Sequence, residues 1–182
     1  KKDKKLNCQL VIRTYLKGNS REILALSQKY KNDETVFFPP ILWNEEWMMP
    51  KIEDLFLYSN LIRYSSLGIN AASTVSLELM MFNIPVINIG FEPNGINLPY
   101  WTRFSRHVEY DHYIPLVKSG AVKVARSTFE LSKLIDRLLY NPSMVIDNQK
   151  LFLNDMFKTH TLGKSSLIIS NYLKQKLIGH YN

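Results

Sequence analysis

Five short runs rich in apolar and β-branched residues, separated by segments of helical period, constrain this chain more than any other feature. The runs are Cys8–Arg13 (CQLVIR), Thr35–Phe38 (TVFF), Leu67–Ala72 (LGINAA), Pro85–Gly90 (PVINIG) and Ala121–Ala125 (AVKVA). Runs of this length and composition, bounded by turn residues, read as buried strands. Helical segments lie between them at Arg21–Tyr30, Lys51–Tyr64, Thr74–Asn83 and Tyr110–Ser119. Strands alternating with helices predict a mostly parallel sheet with helices on both faces, an α/β, Rossmann-like three-layer domain. The 182 residues suit one such domain with its own core.

Local signals set the element ends. Ser20 is placed to cap the first helix, and Ser73 the helix Thr74–Asn83. Ser127 precedes Thr128–Tyr140, with Glu130 three residues on as in a capping box, and Asn141-Pro142 closes that helix. Two C-terminal helices are expected, Ser143–Lys158 and Lys164–Ile178, broken at Gly163. Apolar positions at Ile168, Ile169, Tyr172, Leu173, Leu177 and Ile178 predict that the last helix packs. Ile41–Pro50 reads as irregular and aromatic, and Phe91–Glu109 as a long loop.

In open parallel sheets, ligands sit beyond the C-terminal ends of the strands. That rule points to the stretches after Arg13, around Pro39–Trp47 and at Ala72–Thr74. At the third, small residues Ala71-Ala72 allow close backbone approach, and Ser73-Thr74 open a helix whose first N–H groups lack internal partners. Those donors, two hydroxyls and the helix dipole together suit an anion. Glu78 follows Ser73 by five residues, roughly one and a half turns. A carboxylate there can accept hydrogen bonds from a ribose diol. The same residues read equally as a plain N-cap and a first-turn acid favoured by the dipole.

The segment around Glu78 resembles the donor-binding motif of GT-B-fold glycosyltransferases: a small or hydroxyl-bearing loop, a helix with a Glu, then a Pro-Val-Ile strand. Here it runs Ser73-Thr74-Val75-Ser76-Leu77-Glu78, then Ile84-Pro85-Val86-Ile87. Further matches are Tyr110–Ala125, Phe129-Glu130-Leu131, Leu138–Pro142 and Gly163-Lys164-Ser165-Ser166, so the resemblance spans about Cys8 to Leu173. It is nearest to the bacterial surface-polysaccharide and glycerophosphate transferase branch. It departs from the family in having Ala71-Ala72 where glycines are common, and Leu79 where Ala is common.

The resemblance implies a transferase that moves a sugar from a nucleotide sugar in cell-surface polysaccharide biosynthesis. Ser73 and Thr74 would hold the donor phosphates and Glu78 the ribose. It matches only the C-terminal, donor-binding domain of that fold. With no initiator Met, the chain is expected to be a fragment, 1–182 forming a single donor domain. The N-terminal acceptor domain and the catalytic base would lie outside it, and the chain alone would be inactive. Arg13, at the end of the first strand, would face the donor phosphates. Arg103 and His112, with Arg106 and His107 in the same stretch, would neutralise the leaving diphosphate. Trp43 or Trp47 would pack on the nucleobase, or latch onto the absent domain. No cofactor is implied beyond the donor itself. The absence of an Asp-X-Asp motif argues against the metal-dependent glycosyltransferase fold. The alternatives are a nucleotide-sugar 2-epimerase, which shares the Glu-bearing helix, and a non-catalytic binding module.

Composition narrows the classes. The net charge is +7. The basic residues are not gathered on one helix or aromatic strand face, which disfavours nucleic acid as partner. The single Cys8 excludes an internal disulfide, and the four histidines show no metal-ligand spacing, so no metal site is expected. A reducing cytoplasm is the simplest compartment. No apolar run reaches the roughly 18–20 residues of a membrane span; Leu77–Ile89 is interrupted by Glu78, Asn83, Pro85 and Asn88. The basic last helix leaves room for peripheral contact with the inner face of a membrane.

Overall fold

The computed structural model describes residues 7–14, 21–92, 98–158 and 163–178. The chain divides into two compact units, Lys1–Leu61 and Ile62–Asn182.

In the first unit, strand β1 (Leu10–Val11) pairs in parallel with β2 (Val36–Phe37), in register Leu10↔Val36. Helix α1 (Arg21–Lys29) lies between them in sequence. The expected strand Cys8–Arg13 thus narrows to the residues that find a ladder partner. Ser20 lies outside the described residues. The stretch expected to be irregular is instead an antiparallel hairpin of β3 (Trp43–Asn44) and β4 (Met49–Pro50). Asn44 Oδ1 accepts the Trp47 N–H at 3.1 Å, and Met48 takes a left-handed backbone, φ 50°. Helix α2 (Ile52–Arg63) follows, near its expected bounds.

Asp54 holds this unit together from the first turn of α2. It is 2% exposed and accepts from the Leu42 N–H (2.8 Å), the Trp43 Nε1–H (2.9 Å) and Arg13 Nη2 (2.6 Å). A buried carboxylate is tolerable only with such pairing. Burial pushes its pKa up. The bonds from Arg13, Leu42 and Trp43, with the Arg13 charge, outweigh that and hold it below its ordinary 3.8.

The second unit carries a three-stranded parallel sheet in the order β5 (Gly68–Asn70), β6 (Val86–Ile89), β7 (Lys123–Ala125). Helix α3 (Val75–Met81) connects the first two strands and α4 (Ile114–Lys118) precedes the third. Both connections step the same way across the sheet, so both helices belong on one face. Side chains of a strand alternate between faces, and β6 displays the two sides clearly. Ile87 joins Ala125, Leu138 and Val145 in an apolar cluster under α5 (Thr128–Tyr140) and the start of α6 (Ser143–Phe157). Asn88 bonds to groups of α3 and of the segment leading into α4. The unit is therefore an α/β, Rossmann-like three-layer arrangement, as expected.

Gly68 explains how close α3 lies to the sheet. A Cβ there would stand 2.2 Å from Leu79 Cδ1, so only glycine admits this packing. The α5 start is the expected capping box. Ser127 Oγ accepts the Glu130 N–H (3.1 Å), and Glu130 Oε2 accepts the Arg126 N–H (2.7 Å). Gln149 of α6 is fully buried and donates to the carbonyls of Ile84 and Ala121, both at 3.1 Å, tying α6 to the starts of β6 and β7. Helix α7 (Ser165–Ile178) forms where expected. Along it Leu167, Ile168, Ile169, Tyr172, Leu173 and Leu177 are all exposed. Among the described residues, no helix is long and apolar enough to cross a membrane.

Candidate functional site in the turn between β5 and α3

Strand β5 ends at Asn70, and the chain then turns outward at the C-terminal edge of the sheet. Ala72 takes the left-handed region, φ 55°. For a residue with a Cβ this costs about 1–2 kcal/mol, so something must hold it. Asn70 does so: its Oδ1 accepts the Ser73 N–H at 3.1 Å. The helix therefore starts later than expected. Thr74, not Ser73, is the N-cap; its backbone is already helical (φ −56°, ψ −24°) and its side chain makes no capping bond. The strand carboxamide holds the turn ahead of the helix, and the N-cap side chain of α3 makes no capping bond.

The turn presents a compact set of polar groups. Ser73 and Thr74 are exposed and Glu78 is half-buried. Thr74 and Glu78 are four residues apart and share a helix face. The opposite face, with Ser76, Leu79 and Met80, is buried. The backbone N–H groups of Thr74 and Val75 have no backbone acceptor among the described residues.

Beneath the turn lies a polar cluster that the sequence reading missed. Asn70 and Asn88 are register partners on β5 and β6. Asn88 Nδ2 donates to Asn70 Oδ1 (3.0 Å) and Ser76 Oγ (3.1 Å). The Tyr113 hydroxyl stands 2.8 Å from Ser76 Oγ and 3.0 Å from Asn88 Oδ1. Ser76 and Asn88 are fully buried and Tyr113 is 7% exposed. Burial raises the Tyr113 pKa above its ordinary 10.0, with the contacts to Ser76 and Asn88 partly opposing. The signal available was the matched asparagines inside two apolar strands, I-N-A and V-I-N-I.

Three of the basic residues beyond β6 organise around Tyr110. His107 meets its ring edge-on at 5.4 Å, His112 stacks at 5.5 Å, and the Arg106 guanidinium sits 5.7 Å from the centroid. Arg103 Nε donates to the Leu98 carbonyl at 2.5 Å. Arg13 belongs to the first unit. There it pairs with Asp54 and lies 5.3 Å from the Tyr58 ring. Of the two tryptophans, Trp43 is tied to Asp54 and Trp47 is exposed. Among the described residues, no group of three or more His, Cys, Asp or Glu could hold a metal ion. Comparison with protein-family models, curated proteins and solved structures gives no match to this chain.

Proposed function

We propose that the β5–α3 turn is the donor site of a glycosyltransferase, receiving a nucleotide sugar for cell-surface polysaccharide synthesis in the cytoplasm. One observation carries the reading. A left-handed Ala72, pinned from below by Asn70, leaves the Thr74 and Val75 N–H groups, two hydroxyls and the Glu78 carboxylate on one outward surface. In the reading, the diphosphate lies over Ala72–Thr74, where backbone donors favour an anion. Glu78 accepts from the ribose hydroxyls. Transfer breaks the bond between the sugar's anomeric carbon and the terminal phosphate oxygen as the acceptor oxygen bonds to that carbon. The departing nucleoside diphosphate then carries the negative charge, which the turn donors stabilise, with Arg103 contributing positive charge and His112 a ring N–H. The base that takes the acceptor's proton, and the acceptor site, are assigned to a partner domain. No cofactor enters this scheme.

Calorimetric titration with UDP, GDP, CDP and ADP at millimolar concentration tests it. At least one should bind, and Glu78→Gln should weaken that nucleotide about tenfold, the loss of one charge-assisted hydrogen bond. Silence from all four, or equal affinity in the variant, would overturn the reading.

A further inference from the structure

Strand β6 ends on a glycine with an arginine laid against it. Gly90 donates its N–H to the Ala125 carbonyl at 2.9 Å, which keeps it beside β7. Its φ is not positive, so the backbone there does not itself require glycine. A Cβ on Gly90 would lie 2.6 Å from Val124 Cγ1 and 3.5 Å from Arg126 Nη1, so the Arg126 guanidinium rests at this strand end. Alternation gives the side of the sheet. Ile87 and Ala125 face the apolar cluster under α5. Asn88, Gly90, Val124 and Arg126 fall on the opposite side, where Asn88 bonds to Ser76 of α3. The turn at Ala72–Thr74 begins two residues after Asn70, and Gly90 comes two residues after Asn88, the register partner of Asn70. Arg126 therefore stands on the same edge and the same face of the sheet as α3 and the turn that leads into it.

The guanidinium is positioned without being used up. The Arg126 main chain is fixed by the capping box, its N–H donating to Glu130 Oε2 at 2.7 Å. Among the described residues its one acidic partner is Glu109, with Oε1 4.0 Å from Nη1, the outer limit of an ion pair. The two side chains are 53% and 48% exposed, so solvent screens the pair and it adds little to stability. The guanidinium donates no hydrogen bond among the described residues. It is planar, permanently charged and shaped to grip two oxygens of one phosphate. The Thr74 and Val75 N–H groups, without a backbone acceptor among the described residues, lie at the end of the neighbouring strand. Adjacent strands are about 4.8 Å apart. That spacing is more than one phosphate group covers and suits two in a row.

We propose that Arg126 is a phosphate-binding residue of the β5–α3 site, gripping the second phosphate of a diphosphate whose first lies on the turn. The proposal rests on the donor-site reading and narrows it: donors joined to their sugar through a diphosphate fit, and those joined through a monophosphate do not. The test is calorimetric titration of the full chain with UDP, GDP, CDP and ADP, with the corresponding monophosphates, and with inorganic pyrophosphate. The parent should bind its diphosphate about tenfold or more tightly than the monophosphate. Arg126→Gln should weaken the diphosphate by about ten- to a hundredfold, the loss of charged hydrogen bonds, and leave the monophosphate within about twofold. Arg126→Lys should recover only part of that loss, because the fork is gone. Thermal unfolding of both variants should match the parent, since the side chain is half exposed. Equal loss for diphosphate and monophosphate, or an unchanged diphosphate affinity, would overturn the proposal. If no nucleotide binds, the donor-site reading falls and pyrophosphate alone decides. Bound by the parent and weakened in Arg126→Gln, it keeps Arg126 as a phosphate-binding residue; unbound, or bound equally by the variant, it overturns that as well.

Discussion

Replacing Tyr113 by Phe tests the buried cluster with almost no change of shape. The variant removes a hydroxyl that is 2.8 Å from Ser76 Oγ and 3.0 Å from Asn88 Oδ1. Asn88 is fully buried, and its Oδ1 has no other hydrogen-bond partner among the described residues. An orphaned buried acceptor costs about 1–3 kcal/mol, and the gain in apolar character recovers only part of it. The expected loss is about 2 kcal/mol, or a Tm lower by about 4–8 °C for a chain of this size. Urea and thermal unfolding followed by circular dichroism measure it, with Tyr140→Phe as control. Tyr140 is 86% exposed, so that variant should stay within about 0.5 kcal/mol of the parent. The pH dependence adds a second readout. The folded-state pKa of Tyr113 is raised, so its contribution is complete below the ordinary value of 10.0 and is lost as pH rises through the higher folded value. The parent should therefore lose stability faster than Tyr113→Phe in alkaline solution, and the gap between them should close. If Tyr113→Phe matches Tyr140→Phe in stability, or if the gap stays constant on going to high pH, the cluster is not bonded as described.

Two further substitutions test the packing. Asp54→Asn should destabilise the first unit by roughly 2–3 kcal/mol, below the range for a fully buried pair because Arg13 keeps 17% of its side-chain exposure. The Asp54 pKa is lowered, so the parent's advantage is present above 3.8 and should fade as acid protonates the carboxyl, a trend that unfolding at stepped acidic pH would show. Gly68→Ala should cost about 1–3 kcal/mol through overpacking, since its Cβ would meet Leu79 Cδ1 at 2.2 Å and Cδ2 at 2.9 Å. Leu79→Ala should then cost less in the Gly68→Ala background than in the parent; strict additivity in urea unfolding would refute the contact.

The parts of the fold legible in the sequence are those specified locally. Helix α5 runs Thr128–Tyr140 as expected because Ser127, Glu130 and Asn141-Pro142 each act within a few residues. The sheet was legible as alternation, though the strands shorten to the residues that find partners. The β3–β4 hairpin was not legible, because its turn depends on Met48 at positive φ, a residue that gives no turn signal. Nor was the true start of α3. Ser73 has the composition of an N-cap, but the competing acceptor is on Asn70, and its position becomes clear only once β5 is paired with β6. Tyr113 is 37 residues from Ser76, and no local pattern announces their contact. The apolar residues of α7 were visible, but helical period says that a face wants cover without saying what supplies it.

The matched asparagines have a consequence for how the turn is held in place. A strand slipped by one residue exchanges its two faces. Such a slip of β6 would move Asn88 into the cluster of Ile87, Ala125, Leu138 and Val145, where its carboxamide would find no partner. Ile87 would take its place against the hydroxyls of Ser76 and Tyr113 and leave both unsatisfied. Each orphaned polar group costs about 1–3 kcal/mol, and a slip orphans several at once, so the native register is favoured by more than the net energy of any one bond in the cluster. Because Asn70 belongs to the same cluster and also holds the Ser73 N–H, the register sets the turn at Ala72 from beneath. Among the described residues, the Ser73 and Thr74 hydroxyls make no bond that shapes the turn. The groups that hold the backbone and the groups it presents are thus different residues. That separation supports the proposal that Ser73 and Thr74 face a ligand rather than close a helix.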